Sequence, residues 1–234
     1  MRRFWSTVLR DIRFQFRNGF YYASLVVIIM WIVGLRLLPE STLIYSLPVA
    51  LLNNLTITAY FFVAALILFE KGEGTLQALA MTPLSHAEVI VSRIITLVML
   101  GWLEGLIILV FLVGFDFNLL WYTLSIFIAG FQYVLLGIIL VARYDSINTF
   151  IIPGGVFIAP LSLPMLPYYG IWESPLWLLH PMGATMYLLK AAFGLTVGPI
   201  ELLLSLISAM VWCWLLLKWA ISVYQHMILR GGSA

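Results

Sequence analysis

Apolar residues run along this chain in long blocks, and its polar residues collect between them. Six blocks approach the roughly 20 residues that a membrane-spanning helix needs: 20–38, 43–69, 91–115, 119–142, 150–166 and 200–221. The second block is long and carries Pro48, Asn53, Asn54, Thr56 and Thr58. The fifth is short and interrupted by Pro153, Gly154, Gly155, Pro160 and Pro164. Residues 167–199, rich in Pro, Gly, Trp and Tyr, are too apolar for an ordinary loop and too broken for a span. They predict one or two short helices lying at or dipping into the membrane interface, with Trp172, Trp177 and Tyr187 as anchors.

Ahead of the first block, Trp5, Val8, Leu9, Ile12 and Phe16 fall within an arc of about 100° on a helix turning 100° per residue. Arg3, Arg10 and Arg17 are spaced by sevens on a separate flank, with Arg13 nearby. This predicts an interfacial amphipathic helix over 1–19, with Trp5 and Phe16 in lipid and Arg10 and Arg17 on anionic headgroups. The charged region is too long for a signal peptide, and no small-residue cleavage site follows the first block.

Between the second and third blocks lies a polar island, 70–93. It holds three of the ten acids in the chain, Glu70, Glu73 and Glu88. A polar stretch of this length belongs in water on one side of a membrane. Gly72 and Gly74 break the preceding helix. Thr75 to Met81 reads as one or two helical turns with Leu76, Leu79 and Ala80 on one face, and Pro83 ends that piece. Ser85 and Glu88 then form an S-x-x-E capping box that starts the next helix. A short rigid helix between two spans has the design of a docking knob.

The composition agrees. Of 234 residues, 63% are hydrophobic and 9% charged, against about 25% charged in a soluble domain, and the mean hydropathy is +1.07. Placement of Lys and Arg sets the orientation. With the N-terminus inside, ten lie on the inner side and two, Arg36 and Lys190, on the outer side. Both termini, the island and the turn at 143–145 are then cytoplasmic, and 167–199 is external. The single cysteine, Cys213, lies in an apolar run and reads as a small buried hydrophobe. Residues 231–234 read as a linker-like tail.

Catalytic signatures are missing: there is no phosphate loop, G-x-G-x-x-G, H-E-x-x-H or C-x-x-C in the sequence. His86, His180 and His226 lie far apart, which argues against a metal site. Glu104 is the one acid deep inside a span, and an ionised acid there is unfavourable by about 2.5–3.5 kcal/mol on insertion scales. It reads either as a pathway or proton-coupling residue or as a buried carboxyl, protonated or hydrogen-bonded to a neighbour such as Gln132. Gly101 and Gly105 on the same helix form a G-x-x-x-G that permits close packing. Asn53, Asn54, Thr56 and Thr58 give the second span a polar face, for interhelical hydrogen bonds or for a permeation path between two copies. Arg36, beside Glu40, is expected to snorkel to the outer interface.

The run from Glu70 to Leu79, followed by Thr82-Pro83-Leu84-Ser85, resembles the E-x-x-x-G-T-L-E-x-L…T-P cytoplasmic segment of type-2 ABC export permeases. Gln77 stands where that pattern has Glu. With the opening run from Asp11 to Tyr22, it is most similar to the fluoroquinolone or drug-export permeases of bacteria. The resemblance implies that the island is a coupling helix seated in a separate ATPase subunit, with Glu70, Glu73, Gly74, Thr75, Leu76, Leu79 and Pro83 as coupling residues. It implies that ATP and Mg are bound by that partner rather than by this chain. It also implies a second permease chain, as homodimer or sister subunit, and the bacterial inner membrane as location, with lipid but no nucleic acid as a contact.

The expectation is therefore an all-α integral membrane protein forming a single permease domain over 1–230. It comprises the amphipathic helix 1–19, two spans in 20–69, the coupling segment 70–90, three spans in 91–166, broken external helices in 167–199 and a last span in 200–222. Asn53, Asn54, Thr56 and Glu104 are its candidate pathway residues. The expected activity is outward transport of a small amphipathic or hydrophobic compound by alternating access, the chain itself not being an enzyme. Export of haem, lipid, glycan-lipid or ions on the same architecture stays open, as does a proton-coupled carrier using Glu104. An intramembrane hydrolase would need paired acids, a His cluster or a Ser–His constellation at membrane depth, and the sequence offers only Glu104.

Overall fold

A computed structural model describes residues 2–75, 85–172 and 174–231, with 2–3 and 228–231 as backbone only. Among these residues the regular elements are all helical: α1 (Arg2–Arg17), α2 (Phe20–Arg36), α3 (Glu40–Gly72), α4 (His86–Val113), α5 (Leu119–Val141), α6 (Ile147–Ile158), α7 (Met165–Tyr168), α8 (Gly183–Ala192) and α9 (Pro199–Gly231). Short 3-10 turns at Ala159–Ser162 and Pro175–Leu179 complete the description.

Among the described residues, four helices are long and apolar enough to cross a membrane alone: α3, α4, α5 and the Pro199–Met227 part of α9. α1 and α2 make a fifth if taken together, but they meet at a 66° bend. Gly19 sits in that bend at φ 80°, a left-handed conformation that glycine adopts without a Cβ clash. α2 alone has 17 residues, about 26 Å of helix at 1.5 Å per residue. The fifth apolar block is short and interrupted in the structure as it is in the sequence. α6 ends at Ile158 and passes into a 3-10 turn, because Pro160 and Pro164 supply no backbone N–H to continue the ladder. The segment that follows forms α7, the turn Pro175–Leu179 and α8, as its broken sequence predicted.

α3 is the interior helix and α9 lies at the edge: 78% of the apolar window of α3 is buried, against 22% in α9. α3 contains Pro48 and widens into a π-helical turn over Thr56–Phe61. α5 packs against that turn through Gly137. A Cβ at this position would lie 2.4 Å from Val63 Cγ1 and 2.8 Å from the Tyr60 carbonyl oxygen. Gly137→Ala is therefore expected to lower stability by about 1–3 kcal/mol, since backbone on the facing helix must move. The midpoint of SDS-induced unfolding in mixed micelles measures this, and an unchanged midpoint would mean that α3 and α5 are not packed this closely.

Gly101 and Gly105 act as the packing pair that their spacing suggests. A Cβ on Gly101 would meet Leu55 Cδ1 at 2.6 Å, and one on Gly105 would meet the Tyr122 hydroxyl at 2.4 Å. α4 is thus drawn onto both α3 and α5. α1 is two-sided. Trp5, Leu9, Ile12 and Phe16 are exposed, whereas Val8, at the edge of the predicted arc, is buried together with Thr7, Asp11 and Gln15, the last three spaced by fours so that they share one face.

Candidate functional site

Two buried polar centres organise the interior. The first lies where the polar island joins its flanking helices. α3 ends there because Gly74, at φ 69°, turns the chain out of the helix. The Thr75 hydroxyl donates back to the Glu70 carbonyl, 3.3 Å away. On the far side Ser85 and Glu88 form the expected capping box. The Glu88 amide donates to Ser85 Oγ at 3.2 Å, and the Ser85 amide donates to Glu88 Oε2 at 2.8 Å.

These two stops place Glu70, near the end of α3, against Arg93, in the second turn of α4. The pair forms a salt bridge, and both residues are buried, Arg93 completely. The guanidinium also lies over the ring of Tyr224 on α9, 5.3 Å from its centroid. Next to it, Asp11 of α1 accepts a hydrogen bond from Ser92 Oγ at 2.6 Å and pairs with Arg10 at 2.8 Å. One turn on, Gln15 Nε2 donates to Thr96 Oγ1 at 2.9 Å. A single charged seam therefore ties α1, α3, α4 and α9 together at the base of the island.

Two looser ties flank the seam. Arg17 at the end of α1 donates to both oxygens of Glu73, at 2.8 and 2.7 Å. Both partners are exposed, so this pair contributes at most about 1 kcal/mol. Lys71 Nζ donates to the carbonyls of Tyr144 at 2.7 Å and Ala142 at 3.2 Å, filling acceptors that the C-terminal end of α5 leaves open.

The second centre is Glu104, 1% exposed on α4. Its Oε2 accepts from Asn54 Nδ2 at 2.8 Å and from the Thr58 hydroxyl, both on α3. Thr58 stands in the π-helical turn, a wider coil with i→i+5 bonds that is often found at functional positions. Ser24 of α2 is buried beside this carboxyl. Gln132 is not its neighbour. That amide donates instead to the Ala209 carbonyl at 3.5 Å and to Cys213 Sγ at 3.6 Å.

The structure thus brings together Glu70 with Arg93, Glu73 with Arg17, and Glu104 with Asn54. Asn53 and Thr56 instead bond their own helix, at the carbonyls of Val49 and Leu52. Gly74 and Thr75 form the turn that leaves α3. Leu76, Leu79 and Pro83 lie outside the described residues. Trp5 and Phe16 point outward at 61% and 58% exposure, while Arg10 and Arg17 both have carboxylate partners within the chain. Arg36 donates to the Phe111 carbonyl at 2.9 Å. Sequence reasoning passed over Asp11, Ser92, Arg93 and Tyr224 as site residues. An acid in the middle of a helix bearing five arginines was the available signal for Asp11; Tyr224 gave none.

Helices of this length and apolarity, with their polar side chains turned onto one another, make the chain an integral membrane protein. Its sequence matches the model of the Fluoroquinolones export permease protein family over residues 2–231, and the chain belongs to that family. It is accordingly a permease, a transport component. Among its relatives are the fluoroquinolones export permease proteins of Mycobacterium tuberculosis strains CDC 1551 / Oshkosh and ATCC 25618 / H37Rv. Each is 25% identical over 197 residues, covering 82% of both chains. No solved structure matches the chain.

Proposed function

We propose that this chain is the membrane subunit of an ATP-driven ABC exporter for small amphipathic, drug-like compounds. Two copies, or one copy with a sister subunit, pair in the bacterial inner membrane. Each has six spans and cytoplasmic termini, with α2 and the short apolar segment 147–162 supplying the spans that fall short by length. A separate ATPase pair binds ATP and Mg and grips the island. The observation that carries this reading is the charged seam at the island's base. A buried ion pair between the island's first and last residues, Glu70 and Arg93, holds its two stems together. A push on the island is then passed to α1, α3, α4 and α9 as one body. Closure of the ATPase pair would move these bodies and open the cavity outward, a domain-closure transition. The printed names of the relatives favour a drug-like cargo over haem, lipid, glycan-lipid or ions.

The test is co-purification with the candidate ATPase, and ATP hydrolysis in lipid nanodiscs. The double variant Glu73→Ala, Leu79→Asp is expected to remain folded and to lose the ATPase. Failure of the wild type to hold any ATPase would leave the proton-coupled carrier as the stronger reading. Glu104, enclosed among hydrogen-bond donors within the span, is the observation that favours that alternative.

A further inference from the structure

α9 presents a face that neither polar centre uses. Leu203, Ile207, Met210, Val211 and Trp214 are exposed along it. One turn beyond Trp214 the same face becomes polar. Lys218, Ser222 and Gln225 are exposed and lie within about 80° of Trp214 on a helix turning 100° per residue. Lys218 follows Pro199 by about 28 Å of helix, close to the roughly 30 Å thickness of a hydrocarbon layer. The change from apolar to polar therefore sets its ammonium at the level of phospholipid headgroups.

Lys218 is the sole Lys or Arg between Lys190 and Arg230. Its Nζ sits 3.8 Å from the centroid of the Trp214 ring, one turn back toward the apolar part of α9. A lysine that only reached for water would swing the other way, toward Ser222. The ring face holds the charge but gives its N–H groups no acceptor. Among the described residues no carboxylate forms a salt bridge with it. Glu173, the acid outside the described residues, adjoins Ser174, which lines a cleft with Glu201 near the opposite end of α9. Trp219 is 55% exposed and brings an indole N–H donor to the level of Lys218. An exposed cation between two exposed indoles, with no acid of its own, calls for an anion from outside the chain.

We propose that α9 binds the phosphate of an anionic phospholipid at Lys218. Trp214 holds the ammonium, Trp219 and Ser222 flank the headgroup, and the acyl chains lie along the apolar row that ends at Trp214. The charge pattern selects the headgroup. With one cation and no acid at this end of the face, phosphatidylglycerol is matched, whereas the ammonium of phosphatidylethanolamine would meet Lys218 and find no acceptor. That the lipid belongs to the cytoplasmic leaflet rests on the orientation proposed above; binding itself does not. Tyr224, whose ring lies under Arg93, follows within two turns of α9. A lipid held at Lys218 therefore anchors this helix beside the charged seam.

The experiment is native mass spectrometry of the full chain released from detergent micelles, after titration with dioleoyl-phosphatidylglycerol, dioleoyl-phosphatidylcholine or inorganic phosphate. Lys218→Gln is expected to weaken the tightest-bound phosphatidylglycerol about tenfold, the scale of one hydrogen bond to a charged group, and to leave phosphatidylcholine unchanged. Lys218→Arg should retain most of the affinity, and Trp214→Leu should lose a few-fold. Arg13→Gln removes another exposed cation, on α1, and should leave the tightest-bound lipid in place. These side chains are exposed, so SDS-unfolding midpoints in lipid-free micelles should match the wild type for every variant. No loss in Lys218→Gln, an equal loss in Arg13→Gln, or inorganic phosphate held as tightly as the lipid would overturn the site. So would a Lys218→Gln variant that dissociates from dimer to monomer with its lipid retained, which would assign the face to a second copy. Co-purification of the ATPase tests the exporter reading separately. Selective lipid binding without an ATPase would sink that reading and leave the lipid site standing, and an ATPase held without selective lipid binding would do the reverse.

Discussion

Arg93→Met alone is expected to destabilise the folded chain by about 3–5 kcal/mol, the usual consequence of removing one partner from a buried ion pair. Glu70 is 4% exposed and Arg93 0%, so neither charge can turn to water when its partner is lost. The remaining carboxylate would be left in an apolar setting, and Tyr224 would lose the cation over its ring. Glu70→Leu with Arg93→Met should recover most of the loss, because a well-packed apolar pair is often as stable as a buried ionic one. Asp11 stays satisfied in that double variant through Arg10 and Ser92. The check is a set of SDS-unfolding midpoints in mixed micelles for the wild type, the single variant and the double variant. A single variant as stable as the wild type would mean that the seam does not hold the stems of the island.

Glu104→Leu is the second large loss. Its carboxylate is the acceptor for Asn54 Nδ2 and the Thr58 hydroxyl. Leucine would leave both donors buried and unpaired, at about 1–3 kcal/mol each. Glu104→Gln keeps an oxygen in nearly the same place, so it should unfold close to the wild-type midpoint. If the carboxyl is a structural knot between α3 and α4, the Gln variant also transports at the wild-type rate. A Gln variant that folds normally but does not transport would instead identify Glu104 as a proton-coupling acid, since an amide cannot exchange that proton.

The division between what could be read and what could not follows residue by residue. The helical class, the polar island and its two stops were legible because each rests on local chemistry. Apolar blocks of a given length, Gly74 after a helix and the Ser85–Glu88 pair all act within a few residues. The face of α1 was legible apart from its edge, where Val8 is buried, since periodicity separates Trp5 and Phe16 from Asp11. The break in the fifth block was legible as well, since Pro160 and Pro164 act on the hydrogen-bond ladder locally. Gln132 was a reasonable partner for Glu104 on polarity, yet α5 turns it toward α9.

The chain's composition and order determined that it is a helical membrane protein, with its charges sorted to helix ends and one connector. That follows from the absence of water in the hydrocarbon layer, which obliges each segment to satisfy its backbone within itself. Only the tertiary structure decided that Glu70 faces Arg93, that Arg93 lies over Tyr224, that Glu104 belongs to Asn54 and Thr58, and that Lys190 stands near two tyrosine rings. Those partners lie on different helices, and which faces meet is set by glycine contacts and side-chain shapes across the bundle rather than by any spacing along the chain.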